Sequence, residues 1–208
     1  DEKIVNESLV RLLDLIFETD GALKDAPEQF NESEHHLFAL ECARESAVLL
    51  KNEKSALPLT KKERVCVVGD FACKPRYQGA GSSVVNPTRL DSVLGCIKEY
   101  PLQYVGYAQG YERYGKKNQK LRKKAVTLAE SADTILYFVG LDEVSEAEGI
   151  DRRDMKLPQN QLEVLTELTR LGKKVVAVLV GGSAVEFGAL EQSDAILYAC
   201  LGGQAGAR

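Results

Sequence analysis

At 208 residues, with 44% hydrophobic and 28% charged residues, the chain has the size and composition of an ordinary globular protein with a sizeable core. Its net charge of −4 gives no reason to expect binding to nucleic acid or to acidic membranes, and no apolar run approaches the length of a membrane span. The five cysteines are odd in number and lack C-x-x-C spacing, and the two histidines are adjacent. These features predict free thiols in a reducing compartment, the cytoplasm, and no metal site.

The amino-terminal part of the chain is predicted to be helical. Apolar residues at helical spacing predict a helix over residues 4–17, which Gly21 would end. The apolar stripe of this helix is one-sided, so it must pack against another surface. Residues 22–31 are predicted to form a polar connector. Ser33 then caps a second predicted helix, over residues 37–50.

The rest of the chain alternates between predicted strands and helices. Short apolar runs rich in β-branched residues predict strands at residues 64–69, 103–107, 134–140, 175–180 and 195–200. Helical spacing predicts helices at residues 89–98, 118–131 and 159–171. This alternation is typical of parallel strands joined by crossover helices. We therefore predict an α/β fold: a three-layer sandwich with a mostly parallel sheet, helices on both faces and an N-terminal helical extension.

The loop after the predicted strand 134–140 is the candidate site. It carries five carboxylates before two adjacent arginines, and the carboxyl ends of parallel strands are where α/β proteins place their ligands. A nucleotide site is the competing interpretation, but Gly69 is followed by Asp70 rather than by the G-x-G-x-x-G pattern. The sequence YQGAGSS at residues 77–83 follows a loop instead of a strand. No cofactor is expected, and serine catalysis lacks a histidine partner.

Several segments, in order, resemble one family. The sequence ARESAVLLKN at residues 43–52, with L-P-L at 57–59, resembles the opening of the second catalytic domain of glycoside hydrolase family 3. YQGAGSS followed by V-V-N-P-T resembles a loop of its β-glucosidases. The sequence E-G-I-D-R at residues 148–152, with L-P and then Gln161, resembles a family signature, and G-G-Q-A-G at residues 202–206 resembles the family's P-G-Q-x-G.

The resemblance implies a fragment of a two-domain, retaining, exo-acting β-glycosidase. Residues 1–32 would be the last helix and linker of an absent barrel domain, and residues 33–208 an α/β sandwich domain truncated at its C-terminus. The barrel would supply the nucleophile, so the isolated chain would be inactive. Its partners would be a β-glucoside-like carbohydrate and that barrel of the same polypeptide, not nucleic acid or membrane. Exposed apolar surface would favour self-association into a homo-oligomer. The alternative is a non-catalytic α/β binding or interaction module.

The resemblance also assigns roles to the loop residues. Glu146 is predicted to be the acid/base, with Glu148 and Glu143 as the alternatives, and Glu148 would otherwise brace Arg152. The predicted substrate-binding residues are Glu148, Asp151, Arg152, Tyr77, Gln78 and Ser82. For the last three, a well-packed turn is an equal alternative.

Overall fold

A computed structural model describes residues 1–26 and 30–208, which divide into two compact units, residues 1–34 and 35–208. The first unit contains helix α1 (Glu2–Lys24), whose amino end is capped by Asp1, since its carboxylate accepts from the Lys3 amide at 3.1 Å. None of the α1 residues, all of which are described, is buried. The predicted end at Gly21 is wrong, because one interior glycine costs a helix only about 1 kcal/mol. The predicted connector is helical up to Lys24, and its residues 27–29 lie outside the described part.

The second unit is built on one six-stranded sheet with the strand order β1-β6-β5-β4-β2-β3. Every neighbouring pair is parallel except β1 and β6. After α1, the helices and strands in chain order are α2 (Glu32–Ser46), which begins in the last residues of the first unit, β1 (Val48–Asn52), β2 (Arg64–Val68), α3 (Asp70–Cys73), α4 (Val93–Cys96), β3 (Gln103–Ala108), α5 (Gln119–Glu130), β4 (Thr134–Gly140), α6 (Gln159–Thr169), β5 (Lys174–Val180) and β6 (Ala195–Cys200). The predicted α/β fold with a mostly parallel sheet is confirmed.

Helices cover both faces of the sheet. Tyr137 of β4 points to α6, where its hydroxyl donates to the Gln161 carbonyl at 2.7 Å. Side chains alternate along a strand, so Leu136 and Phe138 face the opposite side. There they line a cavity of about 460 Å³ together with side chains of α2 and α4, among them Leu40. The central strands are therefore buried on both faces, which is why they are continuous apolar runs.

Two predicted helices are corrected by the structure. Residues 48–50 were expected to continue the second helix, but they belong to β1, which pairs Val48 with Tyr198 of β6. A short apolar run fits a helix or a strand equally well. Here the run forms a strand because the edge of β6 offers backbone groups with which it can pair. The helix expected over residues 89–98 is reduced to α4 and a following 3-10 turn, since Ser92 caps α4 by accepting from the Gly95 amide at 3.2 Å.

Glu63 ties three strands together at the amino edge of the sheet. Its carboxylate accepts from the Thr134 hydroxyl at 2.6 Å, from the Lys174 ammonium at 3.0 Å and from the Thr60 amide at 3.2 Å. Burial alone would raise the pKa of Glu63, but these donors together outweigh it and lower the pKa to about 2. The charged form of Glu63 therefore stabilises the register of β2, β4 and β5.

Within the described part of the chain, no helix combines the length and the apolar composition that crossing a membrane requires.

Candidate active site

The carboxylate-rich loop begins from a firmly held strand end. The buried Gln161 side chain of α6 pairs with both backbone groups of Gly140, accepting from its amide at 2.8 Å and donating to its carbonyl at 3.0 Å. Asp142 is buried and accepts from the amides of Val144 and Ser145 at 2.9 and 2.8 Å. These contacts close a tight turn, so the residues that follow leave the sheet in a defined direction.

Glu146 is locked into a nearly buried ion pair. Its carboxylate accepts from the guanidinium of Arg76, and the two side chains are only 9% and 1% exposed. It also accepts from the Gly182 amide, at 2.9 Å to Oε2, and from the Ser183 hydroxyl at Oε1. Burial alone would raise the pKa of Glu146, but the donors from Gly182, Ser183 and Arg76 outweigh it and lower the pKa. Glu146 is thus held as a carboxylate.

Glu143 is engaged on the other side of the loop. The Nε atom of Arg113 donates to its Oε2 at 3.1 Å, and Nη1 of the same guanidinium donates to Asp70 at 2.8 Å. Arg113 also lies over the Phe71 ring, with its guanidinium carbon 4.6 Å from the ring centroid. Glu143 is therefore part of a structural cluster that connects the loops after β2, β3 and β4.

Glu148 is exposed to solvent. Its Oε2 accepts from the amide of Ser82 at 3.1 Å and from the Ser82 hydroxyl, and its own amide donates to the Ala80 carbonyl at 3.4 Å. The Ser82 hydroxyl and amide lower the pKa of Glu148. Its other carboxylate oxygen, Oε1, forms no hydrogen bond with any of the described residues. Glu148 thus presents a carboxylate that is fixed at one oxygen and open at the other.

An open cleft at the carboxyl edge of the sheet brings together most of the predicted site residues. Those that line it are Glu146, Glu148, Asp151, Arg152 and Ser82. Tyr77 and Gln78 are absent from the described lining. Instead, the Tyr77 hydroxyl and the Gln78 side-chain amide donate to the Val85 carbonyl at 3.1 and 2.8 Å. These two hydrogen bonds close the loop that runs from residue 78 to residue 85.

Arg152 occupies one wall of the cleft. Its Nη1 donates to the Ser183 hydroxyl at 2.8 Å and to the Ala184 carbonyl at 2.7 Å. Its Nη2 is buried and has no hydrogen-bond partner among the described residues. A buried donor without a partner is rare in folded proteins, so Arg152 is held in place by Nη1 while one of its other donors stays unsatisfied.

Sequence reasoning missed Arg76, Gly182 and Ser183. The glycine pair at the end of β5 could have been found, because parallel neighbours end at the same edge of the sheet and β5 lies beside β4. Arg76 gave no such signal. It stands between Pro75 and Tyr77 in a loop, and nothing in that local pattern indicates that its side chain is buried.

Comparison with known proteins identifies relatives of this domain. Thermostable beta-glucosidase B of Acetivibrio thermocellus is 39% identical over 98% of this chain, and an exo-alpha-(1->6)-L-arabinopyranosidase of Bifidobacterium breve is 32% identical over 94%. The chain spans 27% of the length of each. The crystal structure of a family 3 beta-glucosidase from Bifidobacterium adolescentis matches 94% of this chain, and 29% of its own, with a TM-score of 0.87 and 34% identity.

The model of the glycosyl hydrolase family 3 C-terminal domain matches residues 47–208. The match covers more than half of the chain and the fold agrees with that of the solved relative, so the resemblance seen in the sequence is confirmed. This chain belongs to glycosyl hydrolase family 3, as its C-terminal α/β domain.

Proposed function

We propose that this chain supplies the proton donor of a retaining, exo-acting β-glycosidase of the β-glucosidase type. One observation carries the proposal: Glu148 is exposed in an open cleft at the carboxyl edge of the sheet, with one carboxylate oxygen bound to Ser82. Membership of the family and the names of its relatives, a beta-glucosidase and an arabinopyranosidase, support a glycoside as the substrate.

The proposed reaction needs a second carboxylate from outside the cleft. In retaining hydrolysis, one carboxylate attacks the sugar and a second carboxyl group, about 5–5.5 Å away, protonates the departing oxygen. The donor then removes a proton from the water that releases the sugar. We assign the attacking carboxylate to a barrel domain of the same polypeptide, which would close over the cleft.

Between the two leading glutamates, the contacts favour Glu148 over the predicted Glu146. A donor must be protonated when substrate binds, but the hydrogen bonds from Gly182, Ser183 and Arg76 outweigh burial, lower the pKa of Glu146 and keep it ionised. Glu146 would have to break this pair before it could carry a proton. Glu148 is held at the surface, and covering it with another domain and a sugar would remove water and raise its pKa. Glu146 stays the alternative donor.

The test uses the full-length polypeptide and substrates with good and poor leaving groups. Glu148→Ala is expected to slow poor leaving groups most, because they depend on protonation, and added azide should restore part of the turnover. Glu167→Gln, a change in α6 at a partly exposed glutamate that pairs with Arg122 of α5, is the control and should leave rates unchanged. If Glu146→Ala gives the leaving-group dependence and the azide response instead, the donor is Glu146 and the assignment of Glu148 is wrong.

The same proposal predicts that the 208-residue chain alone is inactive. Because the nucleophile lies outside it, the pure chain should not hydrolyse a nitrophenyl β-glucoside above the rate of a Glu148→Gln variant. Turnover by the isolated chain that disappears in this variant would contradict the two-domain mechanism.

Asp151, Arg152 and Ser82, which line the cleft, are proposed to bind sugar hydroxyls. Tyr77 and Gln78 would act indirectly, by holding the loop that carries Ser82. Isothermal titration of the full-length protein with glucose should show weaker binding for Arg152→Lys, since lysine cannot keep the contacts to residues 183 and 184 and also reach the cleft.

We also propose a reducing, cytoplasmic location, which the five free cysteines support. Helix α1 exposes large apolar side chains, including Ile4, Leu12 and Phe17, so the isolated chain is proposed to self-associate. Sedimentation velocity over a range of concentrations tests this, and a strictly monomeric chain would contradict it.

A further inference from the structure

A buried arginine clamps both ends of the turn that precedes Glu148. Arg76 is 3% exposed and follows α3. Its Nη1 donates to the Leu141 carbonyl at 2.9 Å and to the Glu146 carboxylate, and its Nη2 reaches the Glu146 carbonyl at 3.4 Å. One planar guanidinium therefore holds the first and last residues of the turn 141–146 at a fixed separation.

Glu146 passes this restraint to a third loop. Its carboxylate accepts from the Gly182 amide at 2.9 Å and from the Ser183 hydroxyl. The loops that follow β2, β4 and β5 are thus joined through a single nearly buried ion pair. A buried pair of this kind weakly favours stability at best, since desolvation offsets the attraction, but removing one partner leaves the other charge uncompensated.

We propose that Arg76 is a positioning residue for catalysis, which acts through Glu146 to hold the Glu148 carboxylate in place. This inference rests on the proposed function, in which Glu148 is the proton donor. Glu148 follows Glu146 by two residues, and its far side is fixed by Ser82 and by the Ala80 carbonyl. The Arg76–Glu146 pair fixes the residues that precede Glu148 in the chain. Without Arg76, the buried Glu146 carboxylate has to move toward solvent or take up a proton, and either response releases the loop before Glu148.

Lysine cannot replace Arg76 in this role. Its ammonium is a point charge on a flexible stem, so it can neutralise Glu146 but cannot hold Leu141 and Glu146 in one planar geometry. Misplacement of a catalytic group by 1 Å can slow a reaction about 100-fold. We therefore expect Arg76→Lys to fold and to lower kcat for poor leaving groups about tenfold or more, with KM changed by less than about twofold. Activated aryl leaving groups, which need little protonation, should be slowed much less.

The experiment compares Arg76→Lys and Arg76→Met with the wild type in the full-length polypeptide, and it measures thermal unfolding and kcat and KM for a series of leaving groups. Arg122→Met is the control for Arg76→Met, since Arg122 is also an arginine in ion pairs, with Glu163 and Glu167 of α6, but it is partly exposed and belongs to α5. Its leaving-group profile should equal that of the wild type. A purely structural role for Arg76 would lower thermal stability without a steeper dependence on the leaving group, and that result overturns the inference.

A second variant covers the case in which Arg76→Met fails to fold. This second variant combines Arg76→Met with Glu146→Gln. Because both buried charges are then removed, the double variant should be more stable than Arg76→Met alone. It should keep the steep leaving-group dependence, because the clamp is still absent. A double variant that folds and has the wild-type profile overturns the inference. The proposed function is tested separately with Glu148→Gln. If this variant retains wild-type turnover, the proposed function fails. If it loses turnover while the Arg76 variants keep the wild-type leaving-group profile, only the role of Arg76 is overturned.

Discussion

Replacing Gly81 by alanine should move Glu148 directly, and the size of the effect follows from the contacts. Gly81 has a φ of +89°, and a Cβ atom added to it would lie 3.0 Å from the Glu148 Cβ and 3.4 Å from its Oε2. The backbone conformation alone costs an alanine about 1–2 kcal/mol. The short contact adds a displacement of a few tenths of an ångström, because 3.0 Å is tighter than ordinary packing.

Two assays separate these effects. The backbone strain should lower the thermal midpoint by about 2–8 °C in a domain of this size. If a 1 Å error slows catalysis about 100-fold, a shift of a few tenths of an ångström predicts a loss of about fivefold in kcat for poor leaving groups. Thermal unfolding and hydrolysis of aryl β-glucosides by the full-length polypeptide measure the two losses independently.

Gly115 offers the matched control. Its φ is +78°, but a Cβ atom there would meet no heavy atom of the described chain within 4 Å. Gly115→Ala should therefore lose the same stability as Gly81→Ala and keep full activity. Equal activity losses in the two variants, or full activity in Gly81→Ala despite the stability loss, would refute the placement of Glu148 by the glycine turn.

Three further predictions concern the fold. Glu63→Gln should lower the free energy of unfolding at neutral pH by about 1 kcal/mol after solvent screening. Because folding lowers the pKa of Glu63 from 4.5 to about 2, the contribution of Glu63 to the free energy of unfolding is complete above pH 4.5 and disappears as the pH falls toward 2. Urea unfolding at several pH values tests this, and a stability difference between variant and wild type that persisted at pH 2 would contradict it. Leu168→Ala removes a fully buried α6 side chain and should destabilise by about 2–5 kcal/mol in the same assay, with a result below about 1 kcal/mol disproving its packing. A thiol reagent should label the exposed Cys42 and Cys73 in the folded chain but should reach Cys66 only after unfolding. The reason is that Cys66 is buried, and burial raises its pKa to about 12. Rapid labelling of Cys66 in the folded chain would contradict its placement in β2.

Local patterns in the sequence were sufficient for five of the six strands of the described sheet. Strands such as β4 and β5 are buried on both faces, so each is a short continuous apolar run that is visible without knowledge of its neighbours. The same alternation of strands and helices located the loop after β4 at the carboxyl edge. Where a run was ambiguous, as in β1, the local pattern failed because a helix and an edge strand can use the same few apolar residues.

The sequence by itself determined that several glutamates crowd one loop at a strand end, but only the tertiary structure distinguishes their environments. Arg76 and Glu146 are 70 residues apart, and Gly182 lies a further 36 residues along the chain. No local pattern reports such contacts, because they depend on which loops the parallel sheet brings to the same edge. The physical difference between the candidates is solvation: Glu146 is enclosed by donors that keep it ionised, whereas Glu148 is held at an open surface, where the covering domain and sugar of the proposed function would raise its pKa.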